Sequence, residues 1–389
     1  MDKKNLQFAL PDIGDEESDE LLECLRRGWL TTGPKTALFE KGFADYLGMP
    51  YALAVNSGTA GLHLALEAFG IRKGDIVITS AYTFTACAEV IRYLGAHPAL
   101  VDIERQTFNL DPQAMEGKLE ELKRQNKNVK AVLPVHFAGQ ACDMESVLDL
   151  SREYGIRVIE DAAHALPCTH KGRMIGTIGD ATVFSFYVTK PLTTGEGGMV
   201  VTASERIAKR IKIMRLHGID REVWDRYTSK KPQWYYEVVA PGFKYNMPDL
   251  MAAIGIHQLK KINQFQSRRE EIAVRYNEAF ADLPLGTPRL ARPDDTHAWH
   301  LFVIQLELEN IKISRDRFIE RMAEKGIGTS VHFIPLHLHP YWRDRYGFEP
   351  DDFPVALDCY RRAVSLPIYS KMTDDDVERV IKAVRDILV

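Results

Sequence analysis

The sequence predicts an α/β protein: a large domain on a mostly parallel seven-stranded sheet, followed by a smaller C-terminal α+β domain. Three observations lead there. Short apolar runs alternate with helical patterns through the first two-thirds of the chain. These runs are apolar almost end to end, as strands covered on both faces must be. At 389 residues the chain also exceeds what one ordinary core holds.

The expected strands are YALAV (51–55), IVITS (76–80), HPALVDI (97–103), VKAVLPVHF (129–137), IRVIEDA (156–162), ATVFSFY (181–187) and GMVVT (198–202). Only a glycine turn separates the last two, too little chain for a crossover helix, so that pair is expected to be antiparallel or irregular. Residues 247–262 start a long helix, with Pro248 suited to its first turn and Leu250, Ile254, Ile256 and Leu259 at roughly helical spacing. The pattern then changes. Residues 313–328 read as a helix with Ser314 as N-cap and Gly326 as its stop. Residues 373–388 read as another: Thr373 caps it, three aspartates occupy its positive end, and Val377, Val380, Ile381, Val384 and Leu388 form its apolar face. The division expected is 1–245 for the large domain with its N-terminal segment and 246–389 for the linking helix and small domain.

Composition narrows the function classes. A hydrophobic share of 45%, a charged share of 27% and a net charge of −4 are ordinary for a globular protein. They argue against nucleic acid or an anionic membrane as the main partner. No apolar run reaches the roughly 18 residues of a membrane span, and the N-terminal stretch lacks the apolar core of a signal peptide. Five cysteines (Cys24, Cys87, Cys142, Cys168, Cys359) without C-x-x-C spacing read as reduced, buried thiols of a cytoplasmic protein. His332, His337 and His339 lie in a proline-flanked loop without nearby cysteines or clustered acids, so no metal site is expected.

The chemistry gathers at the ends of the apolar runs. Lys190 stands between ATVFSFY and the glycine-rich turn GEGG. Asp161 ends the apolar run IRVIEDA. A strand carboxylate and a turn lysine match the electrostatic needs of pyridoxal phosphate, the lysine forming a Schiff base and the carboxylate pairing with the ring nitrogen. Read alone, Asp161 calls equally for a structural arginine, since a buried carboxylate needs some partner. NSGTAGLHLAL (56–66) follows a strand and opens a helix, so Ser57, Gly58 and Thr59 offer backbone N–H groups to a phosphate, or simply form a glycine turn. Phe84, just past a strand end, suits stacking on a planar cofactor or a place in the core. His164 suits a hydrogen bond to a ring hydroxyl, and the Ser185 hydroxyl suits a phosphate. Singly each is weak, but their joint order is specific.

Over almost its whole length the chain resembles the DegT/DnrJ/EryC1/StrS family of sugar aminotransferases. The matching blocks are GWLTTGP (28–34), NSGTAGLHLAL, AYTFTA, FNLDP (108–112), PVHFAGQACDM (134–144), EDAAHA, FSFYVTK with LTTGEGG, LHGIDRE (216–222), GFKYNMPDLMAAIG (242–255), VHFIPLHLHPYW (331–342) and SLPIYSKMTDDDVERVI (365–381). The resemblance implies the pyridoxal-phosphate-dependent transferase fold type I, aspartate-aminotransferase-like, and a homodimer with shared active sites. It implies Lys190 as Schiff-base lysine and proton shuttle, and Asp161 as partner of the ring nitrogen. It further implies His164 at the ring hydroxyl, Phe84 as stacking ring, and Gly58, Thr59 and Ser185 as phosphate ligands. Asn246 resembles the asparagine that reaches the phosphate from the neighbouring subunit. Thr31, His136 and His332 fall in blocks near the sugar pocket. One departure stands out: Pro191 follows Lys190 where the family commonly has asparagine, which removes an N–H and disfavours the α region at Lys190.

The function implied is amino transfer from L-glutamate to a nucleotide-linked keto sugar. The segments VAPGFKYNMPDL (239–250), HAWHLFVI (297–304) and KGIGTSVHF (325–333) are most similar to the branch making UDP-4-amino-4-deoxy-L-arabinose for lipid A. That favours C4 of a UDP-4-keto pentose. C4 of a UDP-, GDP- or dTDP-linked 4-keto hexose, or a C3 or cyclitol ketone, are the alternatives within the family. Other classes are a sugar dehydratase or lyase, which in this family carries histidine in place of the lysine, a cysteine desulfurase using Cys359, and a non-catalytic protein on the same fold.

Overall fold

The computed structural model describes residues 5–220 and 234–389. The first four residues, and Arg221 and Glu222 at the end of the LHGIDRE block, lie outside the described residues. The chain opens with helices α1 (Asp15–Arg27) and α2 (Pro34–Leu47), then strand β1 (Tyr51–Val55) and helix α3 (Gly58–Ala68). There follow β2 (Ile76–Ser80), α4 (Ala86–Tyr93), β3 (His97–Val101), α5 (Pro112–Arg124), β4 (Val129–Leu133), α6 (Met144–Tyr154) and β5 (Arg157–Asp161). A short hairpin, β6 (Thr169–His170) and β7 (Arg173–Met174), precedes β8 (Ala181–Ser185), β9 (Gly198–Thr202) and α7 (Glu205–Met214).

Seven of these strands form one sheet in the order β1-β9-β8-β5-β4-β2-β3. Strands β2, β3, β4, β5 and β8 are mutually parallel, while β9 runs antiparallel to both β8 and β1. The glycine turn therefore closes a hairpin, as its length requires. Because β9 is reversed, its first residue, Gly198, sits at the edge where β1, β5 and β8 end. Apolar cores cover both faces of the sheet.

Several strands stop short of the apolar runs that announce them. The run 129–137 is interrupted at Pro134, which has no N–H for the ladder. Its carbonyl still accepts the Asp161 N–H at 2.9 Å. The run 181–187 leaves the sheet after Ser185, where the Phe186 carbonyl turns to the Thr194 N–H and the Thr193 hydroxyl. Phe186 and Phe184 pack against Phe39 and Phe43 of α2, with centroids 5.2 to 5.7 Å apart for three of the ring pairs. All four rings are fully buried. Burying each contributes roughly 1.5–3 kcal/mol, so the loop leading to Lys190 is anchored under α2.

Helix α8 (Asp249–Ala279) carries its first half into the large-domain core through Ala252 and Ile262 and its second half into another core through Ile272, Ala273 and Tyr276. That second core lies on a three-stranded antiparallel sheet, β10 (Leu285–Gly286), β11 (Phe302–Leu306) and β12 (Ala363–Leu366). Helices α9 (Arg315–Glu324), α10 (Pro340–Tyr346), α11 (Pro354–Arg362) and α12 (Asp374–Leu388) complete the chain. The Ser314 hydroxyl accepts the Arg317 N–H, and Gly326 just past α9 has φ +72°, the left-handed conformation that stops a helix. Thr373 and Asp376 form a reciprocal capping box at α12. Leu6 bridges to Ile327 and is buried in the second core.

Pro248 is the N-cap of α8 rather than part of its first turn, and Asp249 takes a different task. Its carboxylate accepts N–H groups from Gly33, Lys35 and Thr36 and the Thr36 hydroxyl, at 2.7 to 3.1 Å. Gly33 has no side chain to cap α2, so a residue 216 positions away does it. Asp249→Ala leaves these buried donors unsatisfied and is expected to destabilise the fold by about 3 kcal/mol. A urea midpoint that does not move would remove this account.

Candidate active site

The carboxyl ends of β1, β2, β5 and β8 converge on a cavity of about 530 Å³, the customary place for a ligand in an α/β sheet. At one end lies the N-terminus of α3. The Ser57 hydroxyl accepts the Ala60 N–H at 3.1 Å, leaving the first-turn N–H groups of Gly58 and Thr59 without an intrahelical acceptor. A Cβ on Gly58 would stand 3.0 Å from the Ser185 Cβ and 3.3 Å from its Oγ. A Cβ on Gly198 would stand 2.8 Å from the backbone of Ser57 and Gly58. The two glycines let the helix end sit directly on the β8–β9 hairpin, bringing the Ser185 hydroxyl beside the free N–H groups. That is a cradle for a phosphate dianion.

Asp161 ends β5 and is 7% exposed. Its Oδ1 accepts the Ala163 N–H at 2.9 Å, and its Oδ2 lies 2.9 Å from the Cys87 Sγ. His164 follows in the turn after β5. Its Nδ1 accepts the Ala138 N–H at 3.2 Å. A backbone N–H only donates, so the neutral ring carries its proton on Nε2. Burial, and secondarily the charge of Lys190, push the His164 pKa well below the ordinary histidine value. The ring is thus a neutral donor, suited to a phenolic oxygen.

Lys190 follows the turn closed by its N–H to the Tyr187 carbonyl, at 2.9 Å. Desolvation lowers its pKa to about 8, against the opposing pull of Asp161. Phe84, from the loop after β2, lines the cavity and is 57% exposed as a residue, which suits stacking. Its centroid is 5.9 Å from that of Phe333. His332 lines the cavity from the small domain, its Nδ1 2.9 Å from the Ser365 hydroxyl. Burial and Lys190 lower its pKa to about 4.

These features fit pyridoxal phosphate: a dianion cradle, a fixed carboxylate, a neutral donor, an exposed phenylalanine and a primary amine of depressed pKa in one cavity. Sequence reasoning placed Lys190, Asp161, His164, Gly58, Thr59, Phe84, Ser185 and His332, and the structure brings all eight to this cavity. Three others lie elsewhere. His136 is wholly buried beyond the cavity, its Nδ1 accepting the Cys142 N–H and its Nε2 donating to Glu160 at 2.9 Å. With both nitrogens used it has nothing to offer a sugar. Burial alone would raise the pKa of Glu160, but hydrogen bonds from His136, Thr182 and Gly179 hold it below the ordinary value. Asn246 binds the Thr32 hydroxyl and Lys244, bridging to Val55 at the end of β1. Thr31 is exposed, its carbonyl accepting the Asp249 N–H. Neither lines the cavity of its own chain.

His300 and Glu196 line the cavity and were not singled out. His300 is 5% exposed, 4.4 Å from the His164 ring by centroids, with Nδ1 lacking a hydrogen-bond partner among the described residues. The signal for it was the second histidine of HAWHLFVI. His337 bonds the Pro350 carbonyl, apart from His332. Among the described residues no group of three His, Cys, Asp or Glu side chains is placed to hold a metal, and no helix is long and apolar enough to cross a membrane.

Comparison with known proteins matches residues 11–385 to the DegT/DnrJ/EryC1/StrS aminotransferase family. The spore coat polysaccharide biosynthesis protein SpsC of Bacillus subtilis is 50% identical over 385 residues, covering 98% of this chain and 97% of that one. Among solved structures, the putative sugar aminotransferase Spr1654 of Streptococcus pneumoniae in its PMP-form has a TM-score of 0.90 at 31% identity, covering 98% of this chain and 99% of that one. Its PLP-form has a TM-score of 0.88 at 31% identity, covering 99% and 100%. PseC of Helicobacter pylori, an aminotransferase involved in the biosynthesis of pseudoaminic acid, has a TM-score of 0.88 at 28% identity, covering 99% of each chain.

Proposed function

The chain belongs to the DegT/DnrJ/EryC1/StrS aminotransferase family and is a pyridoxal-phosphate-dependent sugar aminotransferase, and from that premise we propose that it carries an amino group from L-glutamate to C4 of a nucleotide-linked 4-keto sugar. The observation that carries this reading is the single cavity holding the Lys190 amine, the fixed Asp161 carboxylate and the phosphate cradle at Gly58. When bound, pyridoxal phosphate supplies an aldehyde that captures amines and a ring that accepts the electron pair left on a substrate carbon. Gly58, Thr59 and Ser185 hold its phosphate. Asp161 keeps the ring nitrogen protonated, and His164 Nε2–H donates to the ring oxygen. Lys190 Nζ takes the proton from the amine-bearing carbon of glutamate and later delivers one to the carbonyl carbon of the sugar.

That double duty needs a neutral amine near neutral pH. With a pKa of about 8, about one Lys190 amine in ten is neutral at pH 7. Capture of pyridoxal phosphate by the cofactor-free protein is therefore expected to quicken as pH rises, with a midpoint near 8. A midpoint near that of a free lysine, about 10.4, would contradict the desolvated setting.

Asn246 and Thr31 belong, in this reading, to a second copy's cavity in a homodimer with shared sites. Their support is position: neither lines this chain's cavity, Asn246 bridges to Val55 at the end of β1, and Thr31 is exposed with its carbonyl accepting the Asp249 N–H. Full activity at monomer mass in light scattering would remove it.

A UDP-4-keto pentose is the acceptor to test first, on the resemblance of 239–250, 297–304 and 325–333. A nucleotide-linked 4-keto hexose is the second reading, on the lesser resemblance of the same segments to enzymes that aminate hexoses at C4. The protein is loaded with pyridoxal phosphate, converted with glutamate, freed of glutamate and given nucleotide keto sugars singly. Return of the original absorbance with the pentose alone supports the first reading, and with a hexose alone the second. No return with any 4-keto sugar overturns C4 amination.

A further inference from the structure

Asp161 is held from behind by a thiol. Cys87, the second residue of α4, is fully buried and is not part of the cavity wall. Its Sγ lies 2.9 Å from Asp161 Oδ2 and 3.3 Å from the Thr83 Oγ1. Burial, and the neighbouring carboxylate, push the thiol's pKa well above its ordinary value, so the sulfur keeps its proton. An ionised carboxylate only accepts, so that proton is directed at Oδ2, and the Thr83 hydroxyl donates to the sulfur in turn. Oδ1 is fixed by the Ala163 N–H at 2.9 Å. Both oxygens of Asp161 are thus held by donors on the protein side.

We infer that Cys87 is a positioning residue for the cofactor, holding the Asp161 carboxylate aimed at the ring nitrogen. The inference rests on the placement of Asp161 at that nitrogen proposed above. Thr83, Phe84 and Cys87 lie within five residues, in the loop after β2 and the first turn of α4. One short segment therefore governs both the exposed phenylalanine and the carboxylate. Removing the thiol takes away the donor that fixes Oδ2 and frees the carboxylate to turn.

The test compares Cys87→Ala with Cys87→Ser, which keeps a donor. Cofactor Kd is read by absorbance titration of cofactor-free protein, and kcat and KM for glutamate on the loaded enzyme. Loss of one charge-assisted hydrogen bond is expected to weaken cofactor binding about tenfold in Cys87→Ala. kcat should fall about as much, with KM for glutamate within about twofold, and Cys87→Ser should recover most of both. Should Cys87→Ala fail to fold, Cys87→Val reads the same loss of the donor with the space filled. Unchanged Kd and kcat in the donor-less variant overturn the inference, as does a serine variant as impaired as alanine. Asp161→Asn is measured alongside. Loss there without loss at Cys87 removes only the role of the thiol, whereas no loss in either also removes Asp161 from the ring nitrogen.

Discussion

Lys190→Ala is expected to lower kcat for amino transfer by roughly a thousandfold or more while the protein still holds its cofactor. Among the described residues Lys190 is the one lysine lining the cavity. A positioned acid–base group contributes about 10²–10⁴-fold to a rate, and Lys190 would serve as base and then as acid in each half of the cycle. Binding survives because the cradle at Gly58, Thr59 and Ser185, the Asp161 carboxylate and the exposed Phe84 do not depend on the lysine. Cofactor content after dialysis and steady-state turnover check the two halves. Turnover within tenfold of the parent would overturn the assignment.

Asp161→Asn is expected to lower kcat by about 10²–10³-fold, the usual effect of losing one preorganised electrostatic contact to developing charge. Asparagine keeps the shape and the acceptor toward Ala163, so the change removes the negative charge and the second acceptor, the one toward Cys87. The effect belongs to kcat more than to KM for glutamate, since the ring's charge matters most when the substrate carbon loses its proton. A second readout follows from the sign of the interaction. Asp161 raises the pKa of Lys190 against desolvation, so without its charge the capture midpoint should move below 8. A variant with kcat within fivefold of the parent and an unmoved midpoint would show that Asp161 is only structural.

Several of the residues legible in the sequence stand at a strand end, at the start of the helix after it, or in the loop between. Asp161, Ser185, Gly58 and Phe84 stand where an apolar run stops, and in a parallel sheet those places converge. His136 has the same signature and fails because Pro134 ends the strand early and its ring turns inward to Glu160. His300 comes from the far side of α8, and nothing in its surroundings foretells which wall it joins. Cys87 was one of five similar buried thiols. Only its distance to Asp161 separates it from Cys24, Cys142, Cys168 and Cys359. Thr31 and Asn246 illustrate another limit, because a matching motif does not say whether its residues line the cavity, and these two do not. Connection length, by contrast, narrowed the β8–β9 pair to antiparallel or irregular, and it is antiparallel, while the helix caps at Ser314 and Thr373 followed from local chemistry.

Helix α8 has a consequence for anyone exchanging parts between such enzymes. At 31 residues it is roughly 46 Å long, and it is apolar toward one core in its first half and toward the other in its second. Severing the chain within it would leave each fragment an uncovered greasy face. A junction placed just ahead of Asp249 keeps the helix whole yet separates that carboxylate's origin from α2, whose first turn it caps. A chimera joined there therefore inherits a matching requirement: the recipient must present Gly33 and Thr36, or their equivalents, in the same pose, or the two donors meet at an unsatisfied helix end.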